Sequence, residues 1–165
     1  MFQRLLGNNK GASIVELALA LFVISIGITA LLTLAALSLT TSSSSEQRIQ
    51  ANAFAGEMLE AVRNFRDGTD WDTDGIGTLT TGVNYYTHQT GGIPNEWELV
   101  LGTTTSEIFT KRVVFEDVQR DIADDIVPSG GTNDPDSRKV TAFVSWTEEG
   151  DAKEISLSLY ITNWR

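Results

Sequence analysis

The sequence predicts an α+β protein in which one long N-terminal helix spans a membrane with its first half and packs on an antiparallel sheet with its second. Three observations predict this. Residues Leu17 to Ser45 contain no ionisable side chain. From Glu46 to Arg66, apolar residues return every three or four positions, the period of one helix face. After Gly68 the chain breaks into short segments that alternate apolar and polar residues, the period of a half-buried strand.

Charge divides the chain in the same way. The net charge is -10, and Arg4, Lys10 and Glu16 are the only charges before Glu46, so residues 46–165 carry -11. An acidic region of this kind repels phosphate backbones, which excludes direct nucleic-acid binding as its expected role. There is no cysteine, and hence no disulfide, thiolate metal site or cysteine nucleophile. Packing, strand pairing or a metal ion has to hold the folded part together.

From Ala12 the chain reads ASIVELALALFVISIGITALLTLAALSL. As a helix, Leu17 to Leu39 reaches roughly 35 Å at about 1.5 Å per residue, more than the hydrocarbon thickness of about 30 Å. The run is too long for the apolar region of a cleaved secretory signal, about 7–15 residues, so it reads as retained. Arg4 and Lys10 precede it and acid follows, which places the N-terminus in the cytoplasm and the acidic part outside.

Glu16 interrupts this pattern, with Ile14 and Val15 before it and Leu17 after. A lone carboxylate in lipid costs about 2.5–3.5 kcal/mol on insertion scales. Two readings relieve that cost. In one, Glu16 sits in the first helical turn near the headgroups, where the helix dipole favours an anion. In the other, it meets a cation supplied by a neighbour.

Lys10-Gly11, then Ala12, then Glu16 at the fifth place after Gly11, then an unbroken apolar helix, resembles the processing motif of the type IV pilin and type II pseudopilin family. The resemblance implies a pilin-like fold and a leader at 1–11, cut by a membrane prepilin peptidase between Gly11 and Ala12. It also implies methylation of the new Ala12 amine, a transmembrane and assembly helix at 12–45, and an exported globular domain at 46–165. Glu16 is implied as the assembly acid, paired with the Ala12 amine of an adjoining subunit. The expected partners are other pilin subunits, the same or different, the peptidase, and the inner membrane before assembly. The final location implied is an extracellular or periplasmic filament. Ala12 stands where the family usually has a bulky residue such as phenylalanine, and Ser13 where it usually has threonine.

Within residues 46–66, Ala51, Phe54, Ala55, Met58, Ala61, Val62 and Phe65 form the apolar stripe, Glu60 and Arg63 can pair on the solvated side, and Asp67-Gly68 is a stop signal. A helix continuous with the membrane segment is expected, softened at the TTSSSS run (residues 40–45) and at Gly27. Strands are expected at 83–90, 97–101, 108–118, 140–146 and 155–161, with a hairpin turn at Glu148-Glu149-Gly150-Asp151 joining the last two. Val144-Ser145-Trp146 and Tyr160-Ile161-Thr162-Asn163-Trp164 resemble the C-terminal hairpin of some pilin-like proteins.

Four loop and surface features carry candidate chemistry. Asp70, Asp72, Asp74 and Gly75 fit the first half of a calcium loop, but the twelfth position is Thr81 in place of the bidentate acid. A structural calcium and a plain acidic turn both remain open there. Glu116 to Asp125 holds Asp117 and Asp121, which would share one face if that segment were helical. Residues 128–138 (PSGGTNDPDSR) read as an exposed loop available for contacts. His88 reads as a strand-surface histidine. No phosphate loop, serine-nucleophile motif or HExxH motif is present, so a structural subunit is expected, not an enzyme. The alternatives are a type II secretion pseudopilin, a single-pass anchored binding domain that never polymerises, and an exported hydrolase using the acidic clusters.

Overall fold

The structure is a computed structural model that describes residues 10–93 and 95–164, with side chains described from Ile14 onward. The chain divides into two compact units between Ser45 and Glu46. Helix α1 spans Lys10–Gly68 without interruption, including the serine run and Gly27 that were expected to soften it. Hydroxyls in its apolar half turn back onto the helix: Thr29 Oγ1 donates to Ser25 O at 2.8 Å, Thr33 to Thr29 O at 2.9 Å, and Thr41 to Leu37 O at 2.9 Å. Polar side chains satisfied in this way do not compete for the helical amides.

The two halves of α1 have opposite environments. From Ile14 to Leu39 the large apolar side chains are 53–73% exposed, and the segment is long and apolar enough to cross a membrane. A helix apolar all round and uncovered by its own chain calls for lipid or other protein around it. In the C-terminal unit, Ala51, Ala55, Met58 and Val62 are buried against the sheet. The alanines bring the helix backbone close to the strands, and Phe54 and Phe65 flank the contact, partly buried.

The sheet is antiparallel, with strands β1 (Asn84–Gln89), β2 (Trp97–Leu101), β3 (Thr104–Ser106), β4 (Phe109–Arg120), β5 (Ile126–Val127), β6 (Thr132–Glu148) and β7 (Asp151–Thr162). Its main order is β2-β1-β4-β6-β7, and β3 and β5 also pair with β4. One edge of β4 pairs with β6 over its length, while β3, β1 and β5 share the other. Alternation places Phe109, Val113 and Phe115 of β4 and Val140, Ala142, Val144 and Trp146 of β6 on the helix side, all buried. Phe54, Phe109 and Trp146 form an aromatic chain from helix to sheet, with centroid separations of 5.4 and 5.9 Å.

The β6–β7 hairpin closes at Glu148↔Asp151 with Glu149 at φ 52° and Gly150 at φ 92°. Two positive φ values mark the mirror-image turn that suits the strand twist, and glycine takes the second at no steric cost. β7 is the edge strand of the main order, so its apolar side is covered less than its alternation suggests: Leu157 is 37% exposed.

The reading of 128–138 as an exposed loop holds for residues 128–131 and is corrected for the rest. β6 starts at Thr132, and Ser137 and Arg138 are buried. Asp117 pairs with Arg138 while Val118 pairs with Asp134, so Pro135, Asp136 and Ser137 are extra residues in a bulge. A bulge tolerates proline because the ladder there needs no amide donor. The composition looked like a loop for the same reason.

Candidate functional site

The leader expected at 1–11 lies outside the described residues except for Lys10 and Gly11, whose backbone opens α1. Gly11 and Ala12 therefore lie in the first turn of the helix. That turn contains no acidic residue, which corrects the first-turn reading of Glu16. Glu16 is exposed, between Val15 and Leu17, which are 65% and 63% exposed. If the chain were to begin at Ala12, Glu16 would lie four residues along the same face, roughly 6 Å away at about 1.5 Å per residue.

The acidic loop after α1 is built by its own carboxylates. Asp70 Oδ1 accepts from the amides of Asp72 at 3.1 Å and Thr73 at 3.2 Å, and Asp74 Oδ1 accepts from the Asp70 amide at 2.8 Å. Ile76–Thr78 then forms a single 3-10 turn. A Cβ on Gly77 would lie 2.5 Å from the Trp71 ring and carbonyl, so only glycine lets the turn close over that indole. Among the described residues no three acidic or histidine side chains gather into a group that could hold a metal ion. Asp70, Asp72 and Asp74 are not gathered in this way, and the amide contacts of Asp70 and Asp74 are those of the plain acidic turn, one of the two readings left open by the sequence. Adding EGTA is expected to leave the Tm of the detergent-solubilised chain unchanged within about 1 °C, as read by circular dichroism. A fall of several degrees would restore a structural cation.

The condition under which Asp117 and Asp121 would share one face, a helical segment, is not met. Asp117 lies in β4, and residues four apart on extended chain are separated by roughly 13 Å at about 3.3 Å each. Asp117 faces Arg138 at 3.6 Å and accepts from Thr81 Oγ1 at 3.3 Å. Asp121 instead caps the β4–β5 turn, accepting from the amides of Ala123 at 2.8 Å and Asp125 at 3.1 Å. Arg120 ties the turn to the β6 bulge. Its Nε lies 2.6 Å from Asp134 Oδ2, and it donates to Asp124 O at 2.8 Å.

The Ser137 hydroxyl and the Arg120 guanidinium hold the Asp134 carboxyl below its ordinary value. A depressed carboxyl stabilises the fold above its unfolded pKa and loses that contribution as pH falls through the folded value. The C-terminal unit is therefore expected to lose stability below about pH 4, the ordinary aspartate value. Asp134→Asn should flatten that acid limb in melts taken between pH 2 and 6. An unchanged limb would mean that Asp134 titrates as it does in the unfolded chain.

His88 is exposed on β1 opposite Glu98 of β2, a surface position with no second histidine in the chain. The sequence reading missed a cavity of about 310 Å³ at the C-terminal end of α1, lined by Arg66, Asp70, Trp71, Asp72, Asn163 and Trp164. In the sequence Trp164 belongs to the expected terminal hairpin, and Trp71 stands between Asp70 and Asp72. Residues near 66–72 and 163–164 meet only through the fold, for example where Arg66 Nη1 donates to Thr162 O at 3.2 Å, and nothing in their local spacing signals this.

No protein-family model matches the chain, and no curated protein or solved structure matches it either. Functional assignment therefore rests on the residues themselves.

Proposed function

We propose that this chain is a structural subunit of a type IV pilus-like filament, cleaved after Gly11 and polymerised through its N-terminal helix. The observation that carries the reading is Glu16, placed five residues after Gly11 at the head of a helix whose apolar side chains are uncovered all round. In the membrane, lipid covers that surface. In a filament, the same surface packs against copies of itself, and at about 25 cal/mol per Å² its removal from water drives assembly. The amine released at Ala12 gives Glu16 a counter-charge in the adjoining subunit, and a buried ion pair of this kind sets register between helices. The acidic C-terminal unit faces outward before assembly and forms the filament surface afterwards. Prepilin peptidase, the inner membrane and other subunits are the partners this scheme requires.

The test is mass spectrometry of the protein isolated from its native membrane or from shed filaments. A chain starting at Ala12 with one methyl group on its amine is the expected result. An intact Gly11–Ala12 bond would sink the proposal and leave a membrane-anchored binding domain that does not polymerise. Where the processed chain is found, electron microscopy of cells with and without it separates a surface pilus from a short secretion pseudopilus.

A further inference from the structure

The cavity at the C-terminal end of α1 is lined by none of the residues used in the filament proposal. Trp164 is 68% exposed, while Trp71 and Trp146 are 7% and 4% exposed. An indole has much to gain from burial, so an exposed one is a surface that a partner can cover. The Arg66 guanidinium lies over the Trp164 ring, 5.0 Å from the centroid. Arg66 is itself anchored by Asp67 Oδ1 at 2.8 Å and by Thr162 O at 3.2 Å.

The polar groups around the indole are fixed as well. Asn163 Nδ2 donates to Asp136 Oδ1 at 3.1 Å, and the Asn163 amide donates to Asp136 O at 2.8 Å. Trp71 Nε1 donates to Pro135 O at 3.3 Å, and Asp70 Oδ1 is oriented by the amides of Asp72 and Thr73. At about 310 Å³ the cavity falls at the small end of ligand clefts, about 300–1,000 Å³. It combines one aromatic platform with the oriented Asp70 carboxylate and Asn163 amide, which limits the ordering needed on binding.

We propose that this cavity binds a neutral glycan, one sugar ring stacking its C–H face on Trp164 while its hydroxyls hydrogen-bond to Asp70, Asp72 and Asn163. The charge pattern selects the class. Arg66 is matched by Asp67, so the carboxylates of Asp70 and Asp72 leave the cavity net acidic and repel sulfated, phosphorylated or sialylated ligands. A cation would be drawn by these carboxylates but repelled by the Arg66 guanidinium that already covers one face of the indole. A neutral pyranose meets neither penalty.

The test is isothermal titration of the full chain, solubilised in a polyoxyethylene detergent that has neither sugar nor ammonium headgroup. The probes are neutral hexose and N-acetylhexosamine mono- and disaccharides, with tetramethylammonium and sulfate alongside. At least one neutral sugar is expected to bind with Kd of about 1 mM or tighter. Trp164→Ala and Asp72→Ala change exposed side chains, and native melting curves will show that each is folded. Each is expected to weaken binding by about tenfold or more, with Trp164→Phe within about threefold of wild type. Three results each overturn the proposal: no neutral sugar binding below about 10 mM, tetramethylammonium or sulfate binding in place of the sugars, or undiminished binding by folded Trp164→Ala. None of these readouts depends on processing or polymerisation, so this inference and the filament proposal fail separately.

Discussion

Phe109→Ala is expected to destabilise the C-terminal unit by about 3–5 kcal/mol, the cost of deleting a fully buried aromatic side chain and leaving a cavity. Phe109 is 0% exposed at the start of β4 and touches Phe54 of α1 on one side and Trp146 of β6 on the other. Neither neighbour can move freely to fill the gap, because Trp146 is locked in a long paired strand and Phe54 is carried on a helix already seated through Ala51 and Ala55. At this size a loss of that order lowers Tm by more than about 10 °C. The measurement is a circular dichroism melt of the full chain in detergent, with Phe143→Ala as the control. Phe143 lies on the opposite sheet face, half-buried beneath Arg112 at 4.3 Å, and its loss should cost much less. Similar costs for the two variants would mean that helix and sheet do not share one core.

Glu16→Ala is expected to leave cleavage after Gly11 intact and to cut filament yield by more than about a hundredfold. Removing one member of a buried ion pair leaves the other charge unpaired, at a cost of about 3–5 kcal/mol. Each 1.4 kcal/mol is about tenfold in an association constant. In the proposed filament that cost falls on every subunit, because each Ala12 amine loses its carboxylate. Processing is read by mass spectrometry of the membrane fraction, and assembly by quantifying sheared filaments from cells expressing only the variant. Wild-type filament yield from Glu16→Ala would remove the register role of this residue. Failure of cleavage would place Glu16 in peptidase recognition instead. Glu16→Asp keeps the charge on a shorter arm and should recover part of the yield.

The helix was legible because its two signals are local. A charge-free run and a three-and-four apolar spacing need no distant partner to be recognised, and α1 follows both. The β6–β7 hairpin was legible for a similar reason, since clean alternation on both sides of Glu149-Gly150 leaves one register that keeps the apolar side chains together. The misreadings also share a cause. Residues 132–138 carry proline, asparagine and aspartate, and no local rule distinguishes a loop from a strand with a bulge placed opposite Asp117 and Val118. Asp70, Asp72 and Asp74 have calcium-loop spacing, and spacing alone does not show that Asp70 and Asp74 each turn one oxygen to a loop amide. Asp117, within a segment expected as a strand, lies in β4 and so shares no helix face with Asp121.

Order along the chain therefore settled what periodicity and charge can encode: a membrane-length apolar helix, its amphipathic continuation, an antiparallel sheet, and a lone acid five residues beyond a glycine. These features depend on neighbours within a few residues, where propensity and side-chain direction act directly. The cavity shared by Arg66, Trp71 and Trp164, the link from Arg120 to Asp134, and the partial exposure of Leu157 on an edge strand were decided only by folding. Each joins segments distant in sequence, and which segments meet is governed by how the whole sheet and helix bury their apolar faces together.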